Sequence, residues 1–248
     1  MKEQRGIQSV EVGGRLLLAL VHEGRPMALK ALAQAADMAP PKAHPYLVSF
    51  GKLGLIVQDE ASGHYGLGPL AMQLGLISLQ QSDPVRLATA QLAGLAQAVG
   101  QTVAIAVWGS RGATIVRTEE GPLPVHVAMR HGTVMSLRGT ASGRLFAAWL
   151  PRARIRAGDP DTVFDAAFER ELEAVRVAGI AQAVDGVLPG ISALAAPVFD
   201  ASGQIALSLT AIGAGAAFDV RLDGAPAQAL KACAAELSRQ LGARTLAV

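Results

Sequence analysis

The chain reads as an α+β protein in two parts: an N-terminal winged helix-turn-helix, and beyond it a domain built on an antiparallel sheet. Three observations lead there. From Val10 to Gly75 the sequence runs helix, helix, turn, helix and short hairpin. Beyond Gly100 the apolar spacing shifts from the helical period to short runs suited to strands, with turns at GlySerArgGly and AspAlaSerGly. With 248 residues, 51% of them hydrophobic and only 4% aromatic, the chain can bury two modest cores and is too apolar to be disordered.

The first helix carries Val12, Leu16, Leu17, Leu20 and Val21 on one side and stops before Gly24 and Pro26. A second, from about Ala28 to Ala36, presents Leu29, Leu32, Ala33 and Ala36 at the same spacing. The third begins at Pro40 and Pro41, since proline is tolerated in a first turn, and ends at Gly54. Its apolar set, Ala43, Tyr46, Leu47, Phe50 and Leu53, is expected to face the core. Away from that set stand Lys42, His44, Ser49 and Lys52, side chains able to reach bases or phosphates. A two-stranded wing follows, Leu55 to Val57 and His64 to Leu67, with Ser62 and Gly63 in its turn and His64 beside them. This order of elements lays its third helix in the major groove of double-stranded DNA, with the wing alongside.

From Pro69 to Leu79, Leu70, Leu74 and Ile77 form a stripe that predicts a linker helix, free to pack on its own wing or on a second copy. Ser82 or Asp83 caps the next helix, which starts at Pro84 and carries Val85, Leu92, Leu95 and Val99 to Gly100. Two hairpins come after it, ThrValAlaIleAlaValTrp with AlaThrIleValArgThr, and IleSerAlaLeuAlaAlaProValPhe with GlnIleAlaLeuSerLeuThrAlaIle. Between the hairpins two helices are expected, Thr140 to Leu150 and Asp161 to Ala178, and a last one runs from about Pro226 to Leu241. Such a sheet must bury one face under its helices, and domains of this kind often hold a small molecule between sheet and loops. The boundaries are therefore set at 1–68 for the winged domain, 69–82 for the linker helix and 83–248 for the sheet domain.

Charge and motifs exclude several classes. Residues 1 to 75 hold seven Lys or Arg (Lys2, Arg5, Arg15, Arg25, Lys30, Lys42, Lys52) against six Asp or Glu (Glu3, Glu11, Glu23, Asp37, Asp59, Glu60), and the whole chain carries a formal charge of only +2. That is a weak field for a DNA binder, so a few placed cations and a doubled footprint must supply the affinity. The five histidines, His22, His44, His64, His126 and His131, show no metal-ligand spacing, and neither a GxSxG elbow nor a P-loop is present. No catalytic residue, cofactor or metal is expected. The single Cys233, at helical spacing with Leu230, Leu237 and Leu241, reads as core packing. No apolar run at the start resembles a signal peptide, and the longest apolar candidate, 191–218, is broken by Asp200, Ser202, Gly203 and Gln204. A cytoplasmic protein without membrane contact is the expectation.

Four phrases carry a resemblance: ProLysAlaHis through TyrLeuValSer at 41–49, GlyHisTyrGlyLeuGly at 63–68, GlyThrAlaSerGlyArgLeuPheAlaAlaTrpLeuPro at 139–151, and ProGlyIleSerAlaLeuAlaAlaProValPheAsp at 189–200. With their spacing, they make the chain resemble the IclR family of bacterial transcriptional regulators over essentially its whole length. The resemblance implies a winged DNA-binding domain, a linker helix and a GAF-like effector-binding domain, assembled as homodimers or tetramers on double-stranded operator DNA. It also implies that the recognition helix is 41–53, and that Pro45 stands where related sequences commonly have an arginine.

For the small-molecule effector, the resemblance implies a pocket lined by Leu123, His126, Val134, Thr140, Ala141, Asp185, Ala193, Thr210 and Ile212. Ala193 and Ile212 replace more polar residues found in some relatives, which favours an organic or aromatic acid with an apolar body. Thr140 and the N–H groups after it would hold the carboxylate at a helix N-terminus. The function expected is thus a DNA-binding transcriptional regulator controlled by a small-molecule effector. The alternative is a ligand sensor with weakened DNA binding that acts through protein contacts.

Overall fold

The computed structural model describes residues 6–81, 83–123 and 127–243, and the chain divides into two compact units between Ser82 and Asp83. In the N-terminal unit, α1 (Gln8–Glu23), α2 (Leu29–Ala35) and α3 (Pro40–Lys52) pack around Leu16, Leu20, Leu32, Ala33, Ala43 and Leu47. Strands β1 (Ile56–Gln58) and β2 (Tyr65–Leu67) close the core with Ile56 and Tyr65 and pair antiparallel to form the wing. Helix α4 (Pro69–Gln81) follows directly, tied to the wing by the Leu70 N–H, which donates to the Gly54 carbonyl at 2.9 Å.

Two apolar residues expected inside are outside. Leu53 is 61% exposed because α3 ends at Lys52 and Leu53 caps it, turning away from the buried stripe. Val21 is 51% exposed, because the buried stripe of α1 runs through Gly13, Leu16, Ala19 and Leu20.

The C-terminal unit is a five-stranded, wholly antiparallel sheet. In chain order its elements are α5 (Pro84–Thr89), α6 (Leu92–Val99), β3 (Thr102–Gly109), β4 (Gly112–Glu119), α7 (Ala141–Trp149), α8 (Arg152–Gly158), α9 (Ala166–Ala178), β5 (Ala181–Val184), β6 (Ile191–Phe199), β7 (Ile205–Ala214) and α10 (Ala225–Gln240). The strands lie side by side as β4-β3-β7-β6-β5. One face, with Ala104, Ala106, Ala193, Ala195 and Ile212, packs on α7, α8 and α9 through Phe146, Ile155, Phe168 and Leu172. The other, with Ile105, Leu194, Val198, Leu207 and Leu209, packs on α5, α6 and α10 through Ala88, Leu92, Leu230 and Leu237.

Both faces are therefore covered, where the sequence called for one. This explains why β6 is buried along nearly its whole length instead of alternating with solvent. The stretch after Asp83 is two helices, since after Thr89 a tighter bond from the Gln91 N–H to the Ala88 carbonyl breaks the run. Among the described residues three helices rather than two lie between the hairpins: α8 starts directly after Pro151, and α9 begins at Ala166 because Asp165 caps it, its carboxylate accepting from the Phe168 N–H at 2.8 Å. Strand β5 was not anticipated. Cys233 is half-buried on α10 against the second core, and burial pushes its thiol pKa up.

Candidate nucleic-acid interface and effector site

Lys42, His44, Ser49 and Lys52 are all exposed on α3. At about 100° per residue, Lys42, Pro45, Ser49 and Lys52 share one stripe about 15 Å long, whereas His44 lies on the far flank beside the exposed Val48. The start of this helix offers little to a phosphate. Pro40 and Pro41 have no N–H, and the Lys42 and Ala43 N–H groups both donate to the Ala39 carbonyl. Pro45 sits inside the helix, so the Pro41 carbonyl loses its usual donor, and the Ser49 hydroxyl donates back to the Pro45 carbonyl at 2.9 Å. In that arrangement Ser49 has only acceptor lone pairs left to present.

The wing turn is held by one carboxylate. Asp59 accepts from the N–H and the hydroxyl of Ser62, both at 2.7 Å, and the Gly63 N–H donates to the Asp59 carbonyl. Gly63 has φ +69, a left-handed conformation that favours glycine. The Ser62 hydroxyl, followed by its N–H, holds Asp59 below the usual carboxylate range, so the wing tip carries a firm negative charge next to Glu60. Ser62 and His64 are exposed beside it.

In the C-terminal unit the hydrogen-bond register brings Ala193, Thr210 and Ile212 together at one end of the α7 face. Ala193 pairs with Ile212 and with Ala183, and Ile212 pairs with Thr102, giving a row Ala183, Ala193, Ile212, Thr102 across four strands. Directly behind it run Ala181, Ala195, Thr210 and Ala104. Thr140 is 8% exposed, Ala193 8% and Ile212 9%, while Thr102 is at 1% and Ala104, Ala141 and Ala195 are at 0%, so what solvent access this end of the face has lies over Ala193 and Ile212.

Helix α7 is clamped onto this face. Ser142, Thr210 and Ser208 form a buried chain of hydroxyls, Ser142 Oγ to Thr210 Oγ1 and Thr210 Oγ1 to Ser208 Oγ each 2.8 Å. Thr210 is thus bonded on both sides within the helix–sheet seam, with at most an acceptor lone pair left over. Gly143 makes the close approach possible, since a Cβ there would fall on the Ser136 carbonyl. Thr140 caps the helix, accepting from the Gly143 N–H at 3.0 Å and donating to the Ser136 carbonyl at 2.7 Å. The first-turn N–H groups of Ala141 and Ser142 have no acceptor within the helix, because helix geometry provides none.

The segment leading to α7 is fixed by Arg138. Its guanidinium forks onto Asp165 with two bonds of 2.8 Å and lies 5.0 Å from the centre of the Phe168 ring. That guanidinium, with the Phe168 N–H, lowers the Asp165 pKa to about 2.

Other expected residues fall elsewhere. Asp185 has φ +49, and its carboxylate accepts from the Gly190 N–H at 2.7 Å. It thereby closes the loop 185–190, whose Val187 sits against Gly139. Val134 is 39% exposed and bridged to Thr114, opposite Val107, so it lies five residues along β3 from Thr102, about 17 Å by strand rise. Leu123 is 38% exposed in the segment after Gly121, which abuts Gln101. His126 lies outside the described residues.

Sequence reasoning passed over Ser142, Ser208 and Thr102. All three stood within phrases already singled out, but only the tertiary structure puts the hydroxyls of Ser142 and Ser208 together on Thr210. Thr102 is 1% exposed, and its Oγ1 has no hydrogen-bond partner among the described residues.

Known proteins repeat both units. Residues 9–60 match the IclR helix-turn-helix domain, and residues 77–239 match the C-terminal domain of the bacterial transcriptional regulator IclR. The glycerol operon regulatory protein of Streptomyces griseus is 31% identical over 252 aligned residues, covering 96% of this chain and 98% of that protein. The crystal structure of Pseudomonas aeruginosa HmgR matches with a TM-score of 0.89 at 35% identity, over 96% of this chain and all of that one. The repressor BlcR of Agobacterium tumefaciens, at 18% identity and a TM-score of 0.76, shares the fold. Among the described residues no helix is long and apolar enough to cross a membrane. With both domain models in order along the chain, and relatives matched almost end to end, the protein belongs to the IclR family of bacterial transcriptional regulators.

Proposed function

We propose that this chain binds double-stranded operator DNA as a cytoplasmic homodimer or tetramer, and that an organic acid bound in the C-terminal unit controls that binding. The observation that carries the reading is the capped N-terminus of α7 set over the Ala183–Ala193–Ile212 row. Thr140 fixes the first turn, and the uncommitted N–H groups of Ala141 and Ser142 provide partial positive charge for a carboxylate. Beneath them Ala193 and Ile212 offer an apolar floor suited to an aromatic or aliphatic body. Asp185 and Leu123 would border that site on the loops around it.

DNA contact is assigned to Lys42, Ser49 and Lys52 on one stripe of α3, with His44 on its flank and Ser62, Gly63 and His64 on the wing. With so few cations per protomer, two copies must bind together. An apolar stripe for pairing is available on α1, where Ile7, Val10, Leu18 and Val21 are all more than half exposed; Met72, Leu74 and Leu76 of α4 are likewise bare.

The test is a mobility-shift titration with DNA flanking the protein's own gene across a range of salt. Alongside it, a thermal-shift screen of carboxylic acids should raise the melting temperature for those that bind. Salt-sensitive shifts that such an acid relieves or strengthens support the proposal. Acid binding without any DNA shift supports instead a sensor that acts through protein contacts, a reading favoured by the proline-rich start of α3.

A further inference from the structure

Threonine hydroxyls in this chain habitually find a local acceptor: Thr89 donates to the Val85 carbonyl, Thr114 to Gly112, Thr133 to Arg130 and Thr140 to Ser136. Thr102 does not, although it is 1% exposed. Its register places it on the α7 face, opposite Ile212 and in line with Ala104 and Ala106. A buried hydroxyl left without a partner is a standing cost to the fold, and among the described residues none recovers it.

We infer that Thr102 is a ligand-contacting residue, and that the effector is a monocarboxylic acid carrying a second oxygen, hydroxyl or keto, on an otherwise apolar body. The inference rests on the acid site proposed at α7. Thr102 and Thr210 are diagonal neighbours on adjacent strands, about 7–8 Å apart at the backbone, and Thr210 is bonded directly to Ser142 in the first turn of α7. A ligand with its carboxylate at that turn crosses Ile212 within about the length of one ring or a short chain and brings its second oxygen to Thr102. Thr102 both donates and accepts, so it reads either oxygen type, and an acid lacking that oxygen leaves it as unpaired as it is now.

The test is calorimetric titration of the intact protein with matched acids: benzoate against 3- and 4-hydroxybenzoate, cinnamate against 4-hydroxycinnamate, and hexanoate against 6-hydroxyhexanoate. For at least one pair the hydroxylated acid should bind about tenfold tighter or more. T102V should abolish that preference without weakening the parent acid, and T102S should keep it. T102A, which also lacks the hydroxyl, carries the same expectation if T102V does not fold.

Free of ligand, T102V should melt about 2–4 °C higher than the wild type, because valine fills the same space without an unpaired hydroxyl. A preference that survives in T102V or T102A, equal affinities within every pair, or a ligand-free T102V that melts lower overturns the assignment of Thr102 and leaves the acid site standing. No saturable binding of any of these acids at millimolar concentration overturns the acid site itself, and this inference with it.

Discussion

The N-termini of α3 and α7 stand at the two places where this protein is proposed to meet an anion, and they are built oppositely. Helix α3 starts with two prolines and spends its next two N–H groups on the Ala39 carbonyl, so its backbone has nothing left for a phosphate. Helix α7 starts from a threonine whose hydroxyl accepts from the Gly143 N–H, and the N–H groups of Ala141 and Ser142 find no acceptor among the described residues. The first end is rigid and relies on side chains at its surface; the second is buried and relies on backbone dipoles. Long cations at α3 suit a partner whose charge is spread along a groove and shared with salt, whereas fixed donors at α7 suit one small anion held away from water.

The contrast can be broken most strongly at Gly143. Gly143→Ala drives a methyl into the Ser136 carbonyl, and about 3 kcal/mol or more of stability should be lost in denaturant unfolding, from the C-terminal unit. Next in size, Lys42→Ala with Lys52→Ala should weaken operator binding on the order of a hundredfold in a dimer at low salt and flatten the salt dependence by about two per protomer. An unchanged salt slope would remove α3 from the interface.

Thr140→Ala should cost about 1 kcal/mol of stability as a lost cap. It should also weaken acid binding while leaving DNA affinity without ligand unchanged, which separates the two helix ends in one variant.

The smallest effect is the pH dependence of the Arg138–Asp165 fork. Asp165 is lowered to about 2 in the folded protein, below its unfolded value of about 3.9, so its contribution is fully present above the unfolded value. It should fade as the pH falls towards 2. Chemical unfolding of Asp165→Asn and wild type should therefore differ at neutral pH and converge over that acid window.

How much of this was legible in the chain differs between the two units. In the N-terminal unit each element carries its own signal, so helical spacing, the prolines at 40 and 41 and the turn at Gly63 were enough to place α1 to α3 and the wing, although contacts such as Met27 with Tyr65 join distant residues. The errors there, Leu53 and Val21, lie at helix ends, where the stripe drifts away from the core. In the C-terminal unit the hairpins were legible because each pairs with its own neighbour. Strand β5 was not, since AlaGlnAlaVal has no pattern of its own and becomes a strand by adding to β6. Nor was the covering of both sheet faces, which depends on where α6 and α10 return.

For the sites, residue chemistry and spacing within one element were enough to name Lys42 and Lys52, and the family resemblance named Thr140, Ala193 and Ile212. Only the tertiary structure decided which of those residues are free to bind. Thr210 is tied to Ser142 and Ser208, and Thr102, an ordinary strand residue in the sequence, is left without a hydrogen-bond partner among the described residues. The reason is physical. Periodicity reports which face a residue takes within its own helix or strand, but a hydrogen bond is satisfied by whatever stands opposite. The pairing of β3 with β7, more than a hundred residues apart in the chain, leaves no local trace.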